Sequence, residues 1–200
     1  TQIDVVQFPE GLGGNNIIEQ TFKGPIHQQL REALQYIRNS IITEKVVKHS
    51  DRPEADRFFN YPLAAIEEAL SNAVYHRGYD EREPIEVRVE NDKIEIVSFP
   101  GPDRSVTLEG LKSFHVSNRR YRNRRIGDFL KELHLTEGRN TGFKKILDAL
   151  EANGSPKPEF ETDEARSYFI SRFYIHEKFQ NVPKKEPKKS QKGAEKELKK

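Results

Sequence analysis

The segment AIEEALSNAVYHR (residues 65–77) predicts an amphipathic helix. Pro62 stands just before it, at a position suited to the first turn of a helix. On a helical wheel, Glu68 and Asn72 fall away from the apolar face, so we expect a carboxylate and a carboxamide to point at something other than the core. The apolar residues that recur at the spacing of one buried helical face are Leu63, Ile66, Leu70, Ala73 and Val74.

A carboxylate and an amide four residues apart suit a site for a magnesium-bound nucleotide. The Glu68 carboxylate could orient or deprotonate an attacking water. The Asn72 amide oxygen could complete the octahedral oxygen shell of magnesium, with phosphates as further ligands. The same two residue types are also common on a solvated helix face, and the spacing alone favours that simpler interpretation.

The composition indicates one main domain in a soluble protein. The chain has 200 residues, of which 33% are charged and 34% are hydrophobic. It contains no apolar run close to the ~20 residues that a membrane helix needs. The first nine residues lack a basic start followed by an apolar stretch, so no signal peptide is predicted and we expect a cytoplasmic protein.

The cysteine and histidine content limits which kinds of catalytic and metal sites the chain can form. The chain has no cysteine, which excludes a disulfide framework and thiolate catalysis. Its six histidines lack the close spacing of metal ligands. Magnesium carried by a nucleotide is therefore the metal that we expect.

The two ends of the chain differ from its middle. Residues 183–200 contain eight lysines and three glutamates, a net charge of +5, so the preceding residues carry −3 of the overall +2. With almost no apolar residues, residues 179–200 are predicted to form a disordered basic tail or linker. The chain starts without methionine and with a strand-like segment, which leads us to expect a fragment of a longer protein.

The order of the predicted elements indicates an α+β fold. Alternating apolar residues predict a hairpin with strands at residues 84–90 and 94–98. We interpret residues 50–57 as a polar connection. The order predicts a two-layer sandwich with helices packed on one face of a mixed, mostly antiparallel sheet. Other expected strands are at residues 3–8, 16–23, 41–47, 160 and 167–176, and other expected helices at residues 25–38, 108–114, 125–133 and 143–151.

Three ordered motifs resemble a known family. The first motif is residues 61–79, around the helix that carries Glu68 and Asn72. The second is residues 94–101 (IEIVSFPG), and the third is Arg122-Asn123 followed by residues 137–143 (EGRNTGF). Together they resemble the C-terminal ATP-binding module of Schlafen/Alba-type, RecG-related transcriptional regulators. That module is a divergent relative of the Bergerat-type ATPase fold of the GHKL proteins, which include gyrase, the heat-shock chaperone of ninety kilodaltons, histidine kinases and MutL. The resemblance covers about residues 61–174, with a weaker match from residue 24.

The resemblance implies roles for particular residues. Glu68 occupies the position of the general base, and Asn72 that of the magnesium ligand that contacts the nucleotide. Arg122 and Asn123 are implied to lie near the nucleotide, and His76 to brace the end of the helix against the pocket. The implied cofactors are ATP and magnesium. The remaining implied contacts are the turn at Gly101 and the lid residues Gly138, Thr141 and Gly142.

Two alternatives remain for the glycine-rich lid and the base pocket. Backbone N–H groups at a helix start can hold phosphates, but Gly138 could instead only cap the preceding helix. The strand ending Ser98-Phe99-Pro100-Gly101 carries no carboxylate where related ATPases bind the adenine amino group. Asp103 is nearby, but it lies in the wrong register. This departure argues against specific recognition of adenine and, with it, against ATP hydrolysis.

An arginine cluster provides a competing function. Five of the seven residues at 119–125 are arginines, and arginine forks bind phosphates bidentately. The candidates for a DNA-facing surface, or for a merely solvated one, are Arg119, Arg120, Arg124 and Arg125.

The sequence thus predicts one domain flanked by two shorter segments and leaves three functions open. Residues 1–24 are interpreted as the end of a truncated N-terminal domain or a linker, residues 25–178 as the ATP-binding domain, and residues 179–200 as the tail. The favoured function is an ATP-binding module of a regulator that contacts DNA through a missing N-terminal domain. The alternatives are a degenerate module that forms homodimers or relays a signal, and direct DNA binding. The absence of a Walker A pattern argues against a helicase motor.

Overall fold

The computed structural model describes residues 1–116, 120, 122–135 and 142–180. Within these residues the chain forms strands and helices in the order expected of an α+β protein. The strands are β1 Ile3–Gln7, β2 Ile18–Phe22, β3 Glu44–Val47, β4 Asp56–Phe59, β5 Ile85–Val89, β6 Lys93–Ser98, β7 Glu159–Glu161 and β8 Phe169–Tyr174. The helices are α1 Ile26–Ser40, α2 Leu63–His76, α3 Leu108–Lys112, α4 Arg124–Glu132, α5 Gly142–Asn153 and α6 Glu177–Gln180.

Six strands form the main sheet, in the order β2-β1-β5-β6-β8-β7. All of its neighbouring strands are antiparallel except β1 and β5, which pair in parallel from Ile3 opposite Ile85 to Gln7 opposite Val89. The strands β3 and β4 form a separate antiparallel pair. The predicted mixed, mostly antiparallel sheet is confirmed.

The hydrophobic core lies between one face of this sheet and the helices α1, α2 and α5. Alternate residues of the central strands point into the core, among them Val5, Val87 and Ile96, which the register aligns in one row across the sheet. Leu30 of α1 and Leu70 of α2 are completely buried against it. This arrangement confirms the predicted two-layer sandwich.

The opposite face of the sheet carries a ladder of charged side chains. The register places Arg88, Glu95, Arg172 and Glu159 side by side on four neighbouring strands. The Arg172 guanidinium lies 2.6 Å from a Glu95 carboxylate oxygen and 2.8 Å from one of Glu159. Because Arg172 pairs with several carboxylates at once, the network links three strands more firmly than an isolated exposed pair would.

The first residues of the chain belong to the main sheet. Residues 1–24 were interpreted as the end of a preceding domain or a linker, but β1 lies between β2 and β5, and Ile3 and Val5 are in the core. The sequence around β1 could not indicate this, because its parallel partner β5 is far along the chain.

Two elements were missing from the sequence analysis, and both lie near the end of α5. β4 begins within residues 50–57, which were interpreted as a connection, and pairs with β3. The helix α6 follows β8, and its Phe179 ring lies edge-on to Phe58 of β4. At the end of α5, the Asn153 side chain exchanges two hydrogen bonds of 2.8 Å with the backbone of Phe59.

Among the described residues, no helix has both the length and the apolar character needed to cross a bilayer. The predicted basic tail, residues 179–200, falls outside the described residues from residue 181 onward.

We predict that Gly127→Ala destabilises the fold through the contact between α4 and α2. A Cβ atom on Gly127 would lie 2.1 Å from Cζ of the buried Tyr75 ring, so α4 would have to move. We expect overpacking to exceed the gain in helix propensity and to lower the free energy of unfolding by about 1–3 kcal/mol. Urea unfolding measures this change. The matched control is Gly13→Ala, because a Cβ on Gly13 meets nothing within 4 Å. Equal stability of the two variants would contradict the packing argument.

Candidate nucleotide site

The Glu68 and Asn72 side chains lie together on α2, under the first turn of α5. The Asn72 side-chain N–H donates a 3.2 Å hydrogen bond to Oε1 of Glu68. The Glu68 side chain is only 13% exposed, so this side of α2 is not the solvated face that spacing alone favoured. Because the hydrogen bond uses the nitrogen of the Asn72 amide, the carbonyl oxygen is the end of that amide suited to a cation.

Gly142 brings the start of α5 against both side chains. A Cβ atom on Gly142 would lie 2.9 Å from Nδ2 of Asn72 and 2.9 Å from Oε1 of Glu68. Only a residue without a side chain therefore fits here without displacing one of them. A helix start exposes backbone N–H groups and carries a partial positive charge, so α5 begins where a carboxylate or a phosphate is stabilised.

Lys145 is a member of this cluster that the sequence analysis missed. Its Nζ atom lies 3.8 Å from Oε2 of Glu68, and its side chain is 35% exposed. Lys145 follows Gly142 by three residues, a spacing that places both on one side of a helix. That spacing is the signal that could have identified it. The cluster therefore contains an anion, an amide, a helix start and an ammonium group.

Arg122 and Asn123 hold the C-terminal end of α2. The Arg122 guanidinium donates hydrogen bonds to the backbone carbonyls of His76 and, at 3.1 Å, Gly101. The Asn123 amide donates to the carbonyl of Tyr75 at 3.0 Å and to that of Arg77 at 2.6 Å. The last carbonyls of a helix have no partner within the helix, so these two side chains satisfy groups that would otherwise need water.

His76 is partly buried beside this cap. Its ring stacks on Tyr75 with 4.9 Å between ring centroids. Burial and the nearby positive charge of Arg122 lower the pKa of His76 to about 4, so the ring is neutral at neutral pH. This environment agrees with the bracing role implied by the family resemblance rather than with acid–base chemistry.

The turn after β6 is also anchored by backbone contacts. The N–H of Gly101 donates a 2.7 Å hydrogen bond to the carbonyl of Arg166, and its own carbonyl accepts from Arg122. Ser98 is buried at the strand end. The Asp103 carboxylate accepts hydrogen bonds from the backbone and the hydroxyl of Ser105, so it closes a local turn.

An open groove lies beside the same turn. It is lined by Glu81, Glu83, Phe99, Pro100 and Ser167, and includes neither Glu68 nor Asn72. Two carboxylates at its rim make it a poor site for phosphates. Within the part of the chain that the structure describes, no group of three or more acidic or histidine side chains could hold a metal ion by itself.

Several predicted site residues remain without a structural account. Gly138, Thr141 and Arg119 fall outside the described residues. Arg120, Arg124 and Arg125 are exposed, with Arg124 and Arg125 in the first turn of α4.

Comparison with known proteins supports an ATPase-like module. Residues 82–170 match a family model described as "Putative ATP-dependent DNA helicase recG C-terminal". No curated protein sequence is significantly similar to the chain. The crystal structure of the DIP2311 protein from Corynebacterium diphtheriae has a TM-score of 0.71 and 22% identity, and covers 87% of this chain. This likeness shows a shared fold. The chain corresponds to 34% of the length of that protein.

We predict that the lowered pKa of His76 makes the protein less stable as the pH falls. The unfolded state takes up a proton near pH 6.5, whereas the folded state takes it up only near pH 4. The contribution of His76 to the free energy of unfolding is therefore fully present above pH 6.5 and is lost between pH 6.5 and pH 4. It falls by about 2 kcal/mol when the pH falls from 7.5 to 5. Urea unfolding of the wild type and of His76→Gln at both pH values measures this difference. Burial also lowers the pKa of His176, but that contribution is common to both proteins. An identical pH dependence of the two proteins would contradict the account.

Proposed function

We propose that the chain binds ATP together with magnesium, as the nucleotide-binding module of a DNA-binding regulator. The site consists of Glu68 and Asn72 on α2, and the first turn of α5. The observation that carries this proposal is the close approach of Gly142 to both side chains. A solvated helix face needs no such approach, whereas a phosphate site benefits from a helix start placed beside a magnesium ligand.

The chemistry of the residues fits a magnesium nucleotide. Magnesium prefers oxygen ligands and usually keeps phosphates in its shell, so one amide oxygen from Asn72 is a sufficient protein contribution. When bound, the nucleotide supplies the phosphoryl group. Glu68 is the candidate general base, because its carboxylate is held by the hydrogen bond from Asn72 at a fixed place beside the helix start. Phosphoryl transfer depends mainly on such positioning and on charge stabilisation.

The C-terminal end of α2 is held in place, next to the proposed pocket, by Arg122, Asn123, His76 and Gly101. The hydrogen bonds described above direct donors of Arg122 and Asn123 to carbonyls at the end of α2, and a second Arg122 donor to the carbonyl of Gly101. They therefore fix the helix that carries Asn72. This is a positioning role, which differs from the direct nucleotide contact implied by the family resemblance. The lid residues Gly138 and Thr141 are proposed to cover the phosphates.

The regulatory part of the proposal rests on the resemblance of the three motifs to the regulator family. DNA binding is assigned to a domain that precedes this module in the longer protein, and regulation to changes that nucleotide binding causes in the module. The two alternatives in which the module only forms a homodimer or only relays a signal require the same fold but no nucleotide.

We predict that magnesium and ATP raise the melting temperature and that Asn72→Ala abolishes this effect. A ligand at one hundred times its dissociation constant stabilises a protein by about 2.7 kcal/mol, a shift of several degrees. The measurement is a thermal titration with ATP, ADP and GTP, each with and without magnesium. The matched control is Asn39→Ala, which removes an exposed amide from the last turn of α1 and should keep the full shift. Absence of any shift in the wild type would favour the non-catalytic alternatives.

A second candidate function is DNA binding by the module itself. The exposure of Arg120, Arg124 and Arg125 near the start of α4 favours it. These side chains could contact backbone phosphates, which gives affinity without sequence readout.

We predict that, if this surface binds DNA, replacing Arg119, Arg120, Arg124 and Arg125 by glutamine lowers both the affinity for DNA and its dependence on salt. Each lost phosphate contact reduces the slope of log affinity against log salt by about 0.9. Fluorescence anisotropy with a labelled duplex at 50 and 200 mM salt is the assay. The variant replaces Arg119, Arg120, Arg124 and Arg125. A control with the same change in charge replaces Lys23, Arg31, Arg38 and Lys48, which are exposed elsewhere. Equal affinity of the two variants would exclude the surface.

A further inference from the structure

We propose that Lys145 binds the terminal phosphate of ATP and lets the site distinguish ATP from ADP. This inference rests on the proposed function, because it concerns the same pocket. It adds to that function a residue outside the three motifs, and it names the part of the ligand that the residue recognises.

Position supports this assignment. The Lys145 ammonium lies 3.8 Å from Oε2 of Glu68, while Oε1 of the same carboxylate is next to Asn72 and Gly142. Lys145 thus approaches one oxygen of the carboxylate and the Asn72 amide approaches the other. A general base must lie close to the water that attacks the terminal phosphorus. A cation beside that base is therefore beside the terminal phosphate, and farther from the two phosphates that ADP retains.

The distance itself is informative. At 3.8 Å the contact between Lys145 and Glu68 is longer than a hydrogen bond, so it is an electrostatic attraction. An ammonium group has three N–H donors and can serve a phosphate oxygen while it remains near a carboxylate. The neighbouring Lys144 differs in this respect, because its Nζ lies 2.5 Å from Asp148 on the outer side of the same helix and its side chain is 76% exposed.

Charge balance gives the second reason. Glu68 places a negative charge, almost shielded from water, where a triphosphate has to approach. Without a compensating cation this carboxylate would repel the most highly charged part of ATP. Lys145 neutralises Glu68 before the nucleotide arrives and supplies a charge-assisted hydrogen bond afterwards.

The test compares affinities for ATP and ADP, both with magnesium, by isothermal titration calorimetry. We expect Lys145→Gln to weaken ATP binding about 10-fold or more, the effect of one hydrogen bond to a charged group, and to change ADP binding less than about 2-fold. Lys145→Arg should retain most of the preference for ATP. Lys144→Gln is the matched control and should leave both affinities unchanged.

The outcomes separate this inference from the proposed function. If the wild type binds ATP, and Lys145→Gln either lowers the affinities for ATP and ADP equally or changes neither, the role of Lys145 is overturned. The nucleotide site stands in both cases. If the wild type binds neither nucleotide, both proposals fail.

Chemical acetylation of the wild type, read by mass spectrometry, tests the role of Lys145 without a variant. ATP with magnesium should protect Lys145 at least about 5-fold more than ADP does, as expected of a direct contact, with Lys144 modified equally in both. Equal labelling of Lys145 would also overturn the role.

Discussion

The approach of α5 to α2 at Gly142 is the constraint on which the site depends. The first turn of α5 can reach Glu68 and Asn72 only because Gly142 has no side chain. This approach shields the Glu68 carboxylate from water and strengthens every charge interaction that it makes. It also sets the distance between that carboxylate and Lys145, since both helices are anchored in the same core through Leu70 and Leu150.

The C-terminal end of α2 is also anchored by hydrogen bonds. Three successive carbonyls, of Tyr75, His76 and Arg77, accept hydrogen bonds from Arg122 and Asn123. These two residues lie just before α4, and α4 packs on Tyr75 through Gly127. Residues 122–127 are therefore fastened to the helix that carries Asn72.

Local patterns in the sequence predicted much of this arrangement. The periodicity of α2 and the alternation of β5 and β6 indicated both elements, because neighbouring residues determine a helix face and a hairpin. The place of β1 beside β5 could not be predicted, because it depends on contacts between distant residues. The roles of Arg122 and Asn123 were ambiguous for a chemical reason: the donors that bind a phosphate are the same groups that cap a carbonyl. Lys145 was missed because a lysine on a helix is most often solvated, and its three-residue spacing from Gly142 points to the site only once Glu68 is known to lie beside Gly142.

The two hydrogen bonds between Asn153 and Phe59 give α5 a mechanical property. The helix spans its 12 residues from Gly142, beside Glu68 and Asn72, to Asn153, on the β3–β4 hairpin. At 1.5 Å per residue that is about 18 Å of rigid rod with both ends attached. The rod joins the pocket to the place where β8 and α6 meet the hairpin through His176 stacked on Phe58. Because α5 is one helix that is held at both ends, a tilt that changes its contact with Glu68 and Asn72 also changes its contact with Phe59.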